Sequence, residues 1–270
     1  MSGAAQQMTE YPERRTTRAA GWARRTAAFS AVLLVCVWVG HHFGLVEHLA
    51  YLWVLAIVAL LAAVALIFAG FAFSKLWQYG DLGGRDLTVG AMIALLVLAP
   101  YGVAAYWIAT YPPLRDIATD TDDPLPLTTA AERTPDMNAL TEPTPGERRL
   151  QDETYPLVAG RRYDLPFDAV VDAVAAVLQR RGWRLAAPIP PADEASGELV
   201  IAAVAPSFVL ELPADVAIRV VSEGDATLVD MRSASRYGRH DLGDNAARIV
   251  EFLTELDQQI NGQIGPDAAQ

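Results

Sequence analysis

Apolar residues dominate the first 110 positions; beyond them the pattern breaks into short alternating and helical periods. Three runs stand out: Ala27–Val46, Leu49–Phe73 and Leu87–Thr110. Each reaches the roughly 20 residues that cross a hydrocarbon core of about 30 Å at about 1.5 Å per residue. None holds a charged residue, which a buried soluble helix of that length rarely manages. Trp38, Tyr51, Trp53, Tyr106, Trp107 and Tyr111 lie toward the run ends, where aromatic rings favour the membrane interface. Ala59 with Ala63, and Ala65 with Ala69, offer small-residue pairs for close helix packing. Residues 1–26 are polar and are expected to form a basic tail.

From Pro112 to Pro156 there are eight prolines among Thr, Asp and Glu. Proline breaks helices and central strands, so 112–154 is expected to be a solvated tether, with its 115–126 part free to dock. Helical spacing resumes at Phe167, Val170, Val171, Val174 and Leu178. Asp164 is a candidate cap at the start, and Gly182 ends the helix. Arg180 and Arg181 suit the helix C-terminus and a solvated face. Strands are expected at Trp183–Ala187, Glu198–Ala205, Phe208–Leu212, Val216–Val221 and Leu228–Ala234, with a turn at Ser222–Asp225. In the last strand Val229 and Met231 face one way, Asp230 and Arg232 the other. Ala246, Ile249, Leu253, Leu256 and Ile260 then form the stripe of a closing helix, with Arg248, Glu251 and Glu255 near its other face.

The predicted architecture is a three-span α-helical membrane anchor (27–46, 49–73, 87–110) followed by an α+β domain over 155–262. Short connections favour an antiparallel sheet of four to five strands with two helices packed on one face. Such a layer can enclose an apolar pocket. A disordered tail is expected over 263–270.

The densest polar sequence joins the last strand to the last helix. Two readings stand side by side. Arg232, Arg236 and Arg239 could join the helix N-terminus in holding an anion, with Asp241, Asn245 and Arg248 completing a ligand-binding set. Alternatively, Asp230, Asp241 and Asp244 neutralise the arginines and the set locks the connector. Asp241 precedes the helix and is placed to cap its free amides or to pair with Arg236 or Arg239. His240 beside Asp241, with Ser233 or Ser235 as nucleophile, would make a hydrolase. Adjacent residues seldom face each other as a triad needs, and no G-x-S-x-G elbow occurs.

Ser233, Ser235, Arg236, Gly238, Asp241, Leu242, Gly243, Asn245, Ala246, Arg248 and Ile249 resemble the hallmark segment of the domain of unknown function 1499 family. The run from Arg115 to Pro124 is similar to the segment with which that family's domain opens. The resemblance covers roughly residues 112–258. It implies an architecture and brings no catalytic residue.

Charge divides the chain. Residues 1–111 carry seven Arg/Lys against five Asp/Glu; residues 112–270 carry fourteen against twenty-seven. The acidic half argues against nucleic acid, which needs a basic face. Seven basic residues fall on one side of the three runs and one, Arg115, on the other. The positive-inside rule then puts the N-terminus in the cytoplasm and the domain outside, in the periplasm of a bacterial inner membrane. Arg24-Arg25 before an apolar run faintly resembles a twin-arginine export signal, but no cleavage site follows. His41, His42, Glu47 and His48 cluster at one run end. They could bind metal or haem, or line a wet interfacial loop. The single Cys36 excludes an internal disulfide. The charge-free runs argue against a transporter. No phosphate loop, H-E-x-x-H, C-x-x-C or Rossmann fingerprint occurs, so neither a cofactor nor a catalytic set is indicated. The leading expectation is a membrane-anchored, non-enzymatic interaction module whose partner is an envelope protein, lipid or small anionic ligand. The alternative is an envelope hydrolase using the polar residues of 232–248.

Overall fold

The computed structural model describes residues 17–127, 134–190 and 197–264. The chain divides into two bodies, Met1–Ala105 and Tyr106–Gln270.

The first body is built on α1 (Arg18–His42), α2 (His48–Tyr79) and most of α3 (Gly84–Thr110). All three are long and apolar enough to cross a membrane. Each extends past the predicted run at one end or both. Residues 18–26, expected in the tail, already belong to α1, while that helix stops at His42, short of Val46. Residues 1–16 and the tail beyond 264 lie outside the described residues. Ala62, Ala65, Ala69 and Ala72 of α2 are buried in one stripe, so the small-residue contact runs through the Ala65/Ala69 pair and not through Ala59/Ala63. A Cβ on Gly90 of α3 would lie 2.7 Å from the Arg24 backbone of α1, which is why this crossing needs glycine. Outward faces carry Phe29, Val32, Leu60, Ile67 and Leu96, all exposed. His41 stacks flat on Tyr51 with ring centroids 4.0 Å apart. Among the described residues no set of three His, Cys, Asp or Glu side chains is placed to hold a metal ion.

The second body is an α+β domain. Its elements are β1 (Asp116–Ala118), α4 (Pro145–Thr154), β2 (Arg161–Tyr163), α5 (Phe167–Arg181), β3 (Arg184–Leu185), β4 (Glu198–Pro206), β5 (Pro213–Glu223), β6 (Ala226–Ser235) and α6 (Asp244–Ile264). The six strands form one antiparallel sheet in the order β1-β6-β5-β4-β3, with β2 also on β6. Alternation decides which side each residue takes. Val216, Ile218, Val220, Val229 and Met231 share one core with Val170, Val174 and Val177 of α5 and Ile249, Phe252 and Leu256 of α6. Partly buried Leu150, Tyr155, Phe167, Trp183 and Leu185 pack against the same core. Arg181 is no solvated charge. It donates twice to Glu255 of α6, at 2.8 and 3.1 Å, and lies 5.3 Å over the Trp183 ring. Pro166, and not Asp164, sits at the cap position of α5, whereas Gly182 closes it in the left-handed conformation.

Two expectations are corrected. The described residues of the expected tether over 112–154 are part of the fold. They supply β1 and α4, and Leu125, Leu127 and Leu140 among them pack on Ala217 and Ala234, on the sheet face opposite the helices. Gln151 of α4 closes the edge of β1, accepting from the Ala118 amide at 3.2 Å and donating to its carbonyl at 2.6 Å. The domain therefore begins well before Tyr155. The strand expected at Phe208–Leu212 is the loop of the β4–β5 hairpin. The Ser207 hydroxyl accepts from the Leu212 amide, the Ser207 amide donates to the Leu212 carbonyl, and Glu211 turns the chain at φ 53°. The 188–196 loop lies partly outside the described residues.

Candidate functional site

The polar segment from Arg232 to Arg248 spans the end of β6, a connector and the first turn of α6. Because β6 alternates, it sends its polar groups to both faces of the sheet.

On the helix face, Ser233 and Ser235 meet Asn245 and Arg248. The Ser233 hydroxyl donates to Asn245 Oδ1 at 2.8 Å and accepts from Arg248 Nη1 at 2.9 Å. Arg248 Nη1 also donates to Asn245 Oδ1 at 2.7 Å. Asn245 Nδ2 donates to Ser235 Oγ and to the Arg115 carbonyl, both at 3.0 Å. Arg248 Nη2 reaches the Pro206 carbonyl at 3.1 Å and pairs with Asp244. Arg248 is thus buried against the sheet and not on the outer face of α6. Burial pulls its guanidinium below the usual arginine range, and Asp244 opposes that.

On the opposite face, Arg232 grips Asp116 with two bonds, at 2.9 and 2.6 Å, and donates to the Leu125 carbonyl at 2.6 Å. Arg236 donates twice to Asp215 Oδ1, at 2.9 and 2.7 Å. Asp215 is 0% exposed and Arg236 4%. Asp230 accepts from Arg219 at 3.1 Å and from the Thr119 hydroxyl at 3.0 Å. Asn138 donates to the carbonyls of Ser235 and Gly238 at 3.0 and 2.7 Å. Arg232 and Arg236 are paired, but with Asp116 and Asp215 and not with the carboxylates named for that role in the sequence; Arg239 is exposed and joins no ion pair among the described residues.

The connector is held at its own atoms. Asp241 accepts from the amides of Gly243 at 2.9 Å and Asn245 at 3.1 Å, which caps the entrance to α6. It does not pair with Arg236 or Arg239. Burial raises its carboxyl above the ordinary range, only partly offset by those two amides. Leu242 takes φ 60°, a conformation costly for a side-chain-bearing residue, and Gly243 follows at φ 82°. The Leu242 amide donates to His240 Nδ1 at 2.9 Å, so that nitrogen is unprotonated. Nε2 then carries the proton and donates to the Tyr111 carbonyl at 3.0 Å. Nearby, burial pushes the Tyr155 hydroxyl up to about 12, and it has no partner among the described residues.

Of the six residues expected to bind a ligand, Arg232, Arg236, Asp241, Asn245 and Arg248 are buried and bonded within the domain. Arg239 is exposed. The set does not converge: β6 divides it between two faces. The Ser233 and Ser235 hydroxyls face Asn245, while both His240 nitrogens are engaged elsewhere. The cavity bordered by Leu114, Asn138, Leu140 and Ser235 measures about 20 Å³, room for about one water. Asp116, Asn138 and Asp215 were not foreseen as members. Asp215 had one sequence signal, a lone carboxylate inside an apolar alternating strand.

No curated protein and no solved structure matches this chain. The family model described as "Protein of unknown function (DUF1499)" matches residues 116–256, from the first residue of β1 well into α6. With more than half of the 270 residues inside that match, the chain belongs to this family.

Proposed function

We infer that the protein is a membrane-anchored, non-enzymatic interaction module whose acidic α+β domain stands outside the cytoplasm, in the periplasm of a bacterial inner membrane. Its partner is an envelope protein, lipid or small anionic ligand, and not a nucleic acid. One observation carries the reading: the polar side chains of the hallmark segment spend their hydrogen bonds on one another and on the chain around them. A catalytic base needs hydrogen-bond reach of its nucleophile. His240 instead bridges Tyr111 and Leu242, and Ser233 serves Asn245 and Arg248. The basic asymmetry around the three apolar helices supports the orientation.

Two experiments test this. A fluorophosphonate probe applied to membranes containing the protein should leave it unlabelled. Labelling that disappears in Ser233→Ala or Ser235→Ala would favour the envelope hydrolase instead. A reporter active only outside the cytoplasm should work when fused after Gln270 and stay silent after Lys75. The reverse pattern would place the domain inside the cell.

A further inference from the structure

Helix α1 carries two unlike faces. Ala20, Ala23, Ala27 and Ser30 are buried in the anchor bundle. Arg18, Trp22, Arg25, Phe29 and Val32 fall at alternate intervals of four and three, which puts them on one stripe. All five are exposed, Trp22 at 55%, Phe29 at 60% and Val32 at 61%. Two guanidiniums therefore flank an indole, with apolar groups following toward the middle of the helix. Arg18 and Arg25 join no ion pair among the described residues. Arg24, off this stripe, does: it donates to Asp86 of α3 at 2.7 Å.

Depth follows from length. Past Arg25, residues 26–42 complete α1 without any Asp, Glu, Lys or Arg, about 25 Å at about 1.5 Å per residue. A hydrocarbon core is about 30 Å thick. A spanning α1 therefore keeps Arg25 at the acyl boundary, and Arg18 stands two turns, about 10 Å, farther out at headgroup depth. An arginine at that boundary lays its stem along apolar surface and needs a polar partner for its head.

We propose that this stripe of α1 is a binding site for an anionic phospholipid: Arg18 and Arg25 hold the headgroup phosphate, Trp22 lies at the boundary between headgroup and acyl chain, and the chains run along Phe29 and Val32. A guanidinium offers phosphate two parallel donors, and an indole favours that boundary. The charge selects the lipid class. A zwitterionic headgroup brings its own cation, which offsets its phosphate and repels the guanidiniums, whereas an anionic headgroup brings none. The proposal rests on the anchor reading and not on which way the anchor points.

The test uses the full chain in phosphatidylcholine vesicles with a trace of phosphatidylglycerol or phosphatidylcholine spin-labelled on the acyl chain. Electron spin resonance reads how much of each is immobilised at the protein. Phosphatidylglycerol should be held about five-fold more strongly than phosphatidylcholine, or better. Arg18→Gln with Arg25→Gln should bring that ratio close to one. Lys75→Gln with Arg85→Gln removes as much exposed charge at the same end of the bundle, where the Thr17 amide donates to the Leu82 carbonyl, and should keep most of the selectivity. An equal loss in the two pairs would mean diffuse attraction and no site, which overturns the proposal and leaves the anchor standing. If neither lipid is immobilised, the anchor reading falls with it. Inorganic phosphate, compared with chloride at matched ionic strength, should leave the selectivity in place. Its loss there would show a site for free anion and contradict the lipid assignment.

Discussion

The two faces of β6 solve the same problem in different ways. Each buries arginines beside a covering layer. On one face that layer is α5 and α6, whose apolar stripes already pack on Val229 and Met231, and Arg248 there meets one carboxylate, Asp244 of its own helix, beside three neutral groups: a hydroxyl, an amide and a carbonyl. On the other face the described residues around Leu125, Leu127 and Leu140 form neither helix nor strand. There the arginines are met by carboxylates and by the loop's own carbonyls, Leu125 and Thr141. A helix can be held by its stripe. An irregular segment repeats no face, so charged groups on the strand must hold its backbone in place.

If that contrast is right, removing the irregular layer should do the most damage. Residues 155–264 alone lack β1, α4, Asp116 and the covering leucines, so they should not unfold cooperatively in urea, whereas 111–264 should. Cooperative unfolding of the shorter fragment would make the second layer decorative. Next in size is Arg236→Ala within 111–264, which strands the fully buried Asp215 and should cost about 3–5 kcal/mol. Replacing both residues by apolar ones of similar volume should recover much of that.

The helix-covered face was legible in the sequence and the other was not. Period 3.6 marked α5 and α6 and period 2 marked β4 to β6, because those elements bury a repeating face. The proline-rich segment has no period; what binds it are arginines more than 90 residues away, which no local window can see. One local signal was present and unread: Thr144 and Glu147 form a capping box at the start of α4. Among the polar residues, the capping by Asp241 followed from its place before free amides. The burial of Arg248 did not, since a charge on a helix ordinarily marks its solvated side.

Smaller effects sharpen the contrast at the connector, which touches both layers. Asp241→Ala should cost about 1 kcal/mol as a lost cap, and Asp241→Asn less. The Asp241 carboxyl is raised on folding, so its contribution is full below the ordinary aspartate value of about 4 and declines as pH rises through the folded value. The stability gap between the parent and Asp241→Asn should shift in that sense across acidic pH, and a flat gap would mean the carboxyl is effectively solvated. His240→Ala should cost about 1 kcal/mol or less, because it removes one acceptor and one donor at a half-exposed site. Arg239→Ala should stay within about 0.5 kcal/mol.

The central claim is that the hallmark segment and the segment that opens the domain form one structural lattice. A double-mutant cycle on Arg232 and Asp116, by urea unfolding of residues 111–264, tests it most directly. Each single alanine variant should be strongly destabilised and the pair should couple by more than about 1 kcal/mol. Additivity within about 0.3–0.5 kcal/mol would contradict the account and leave the buried arginines free for another role.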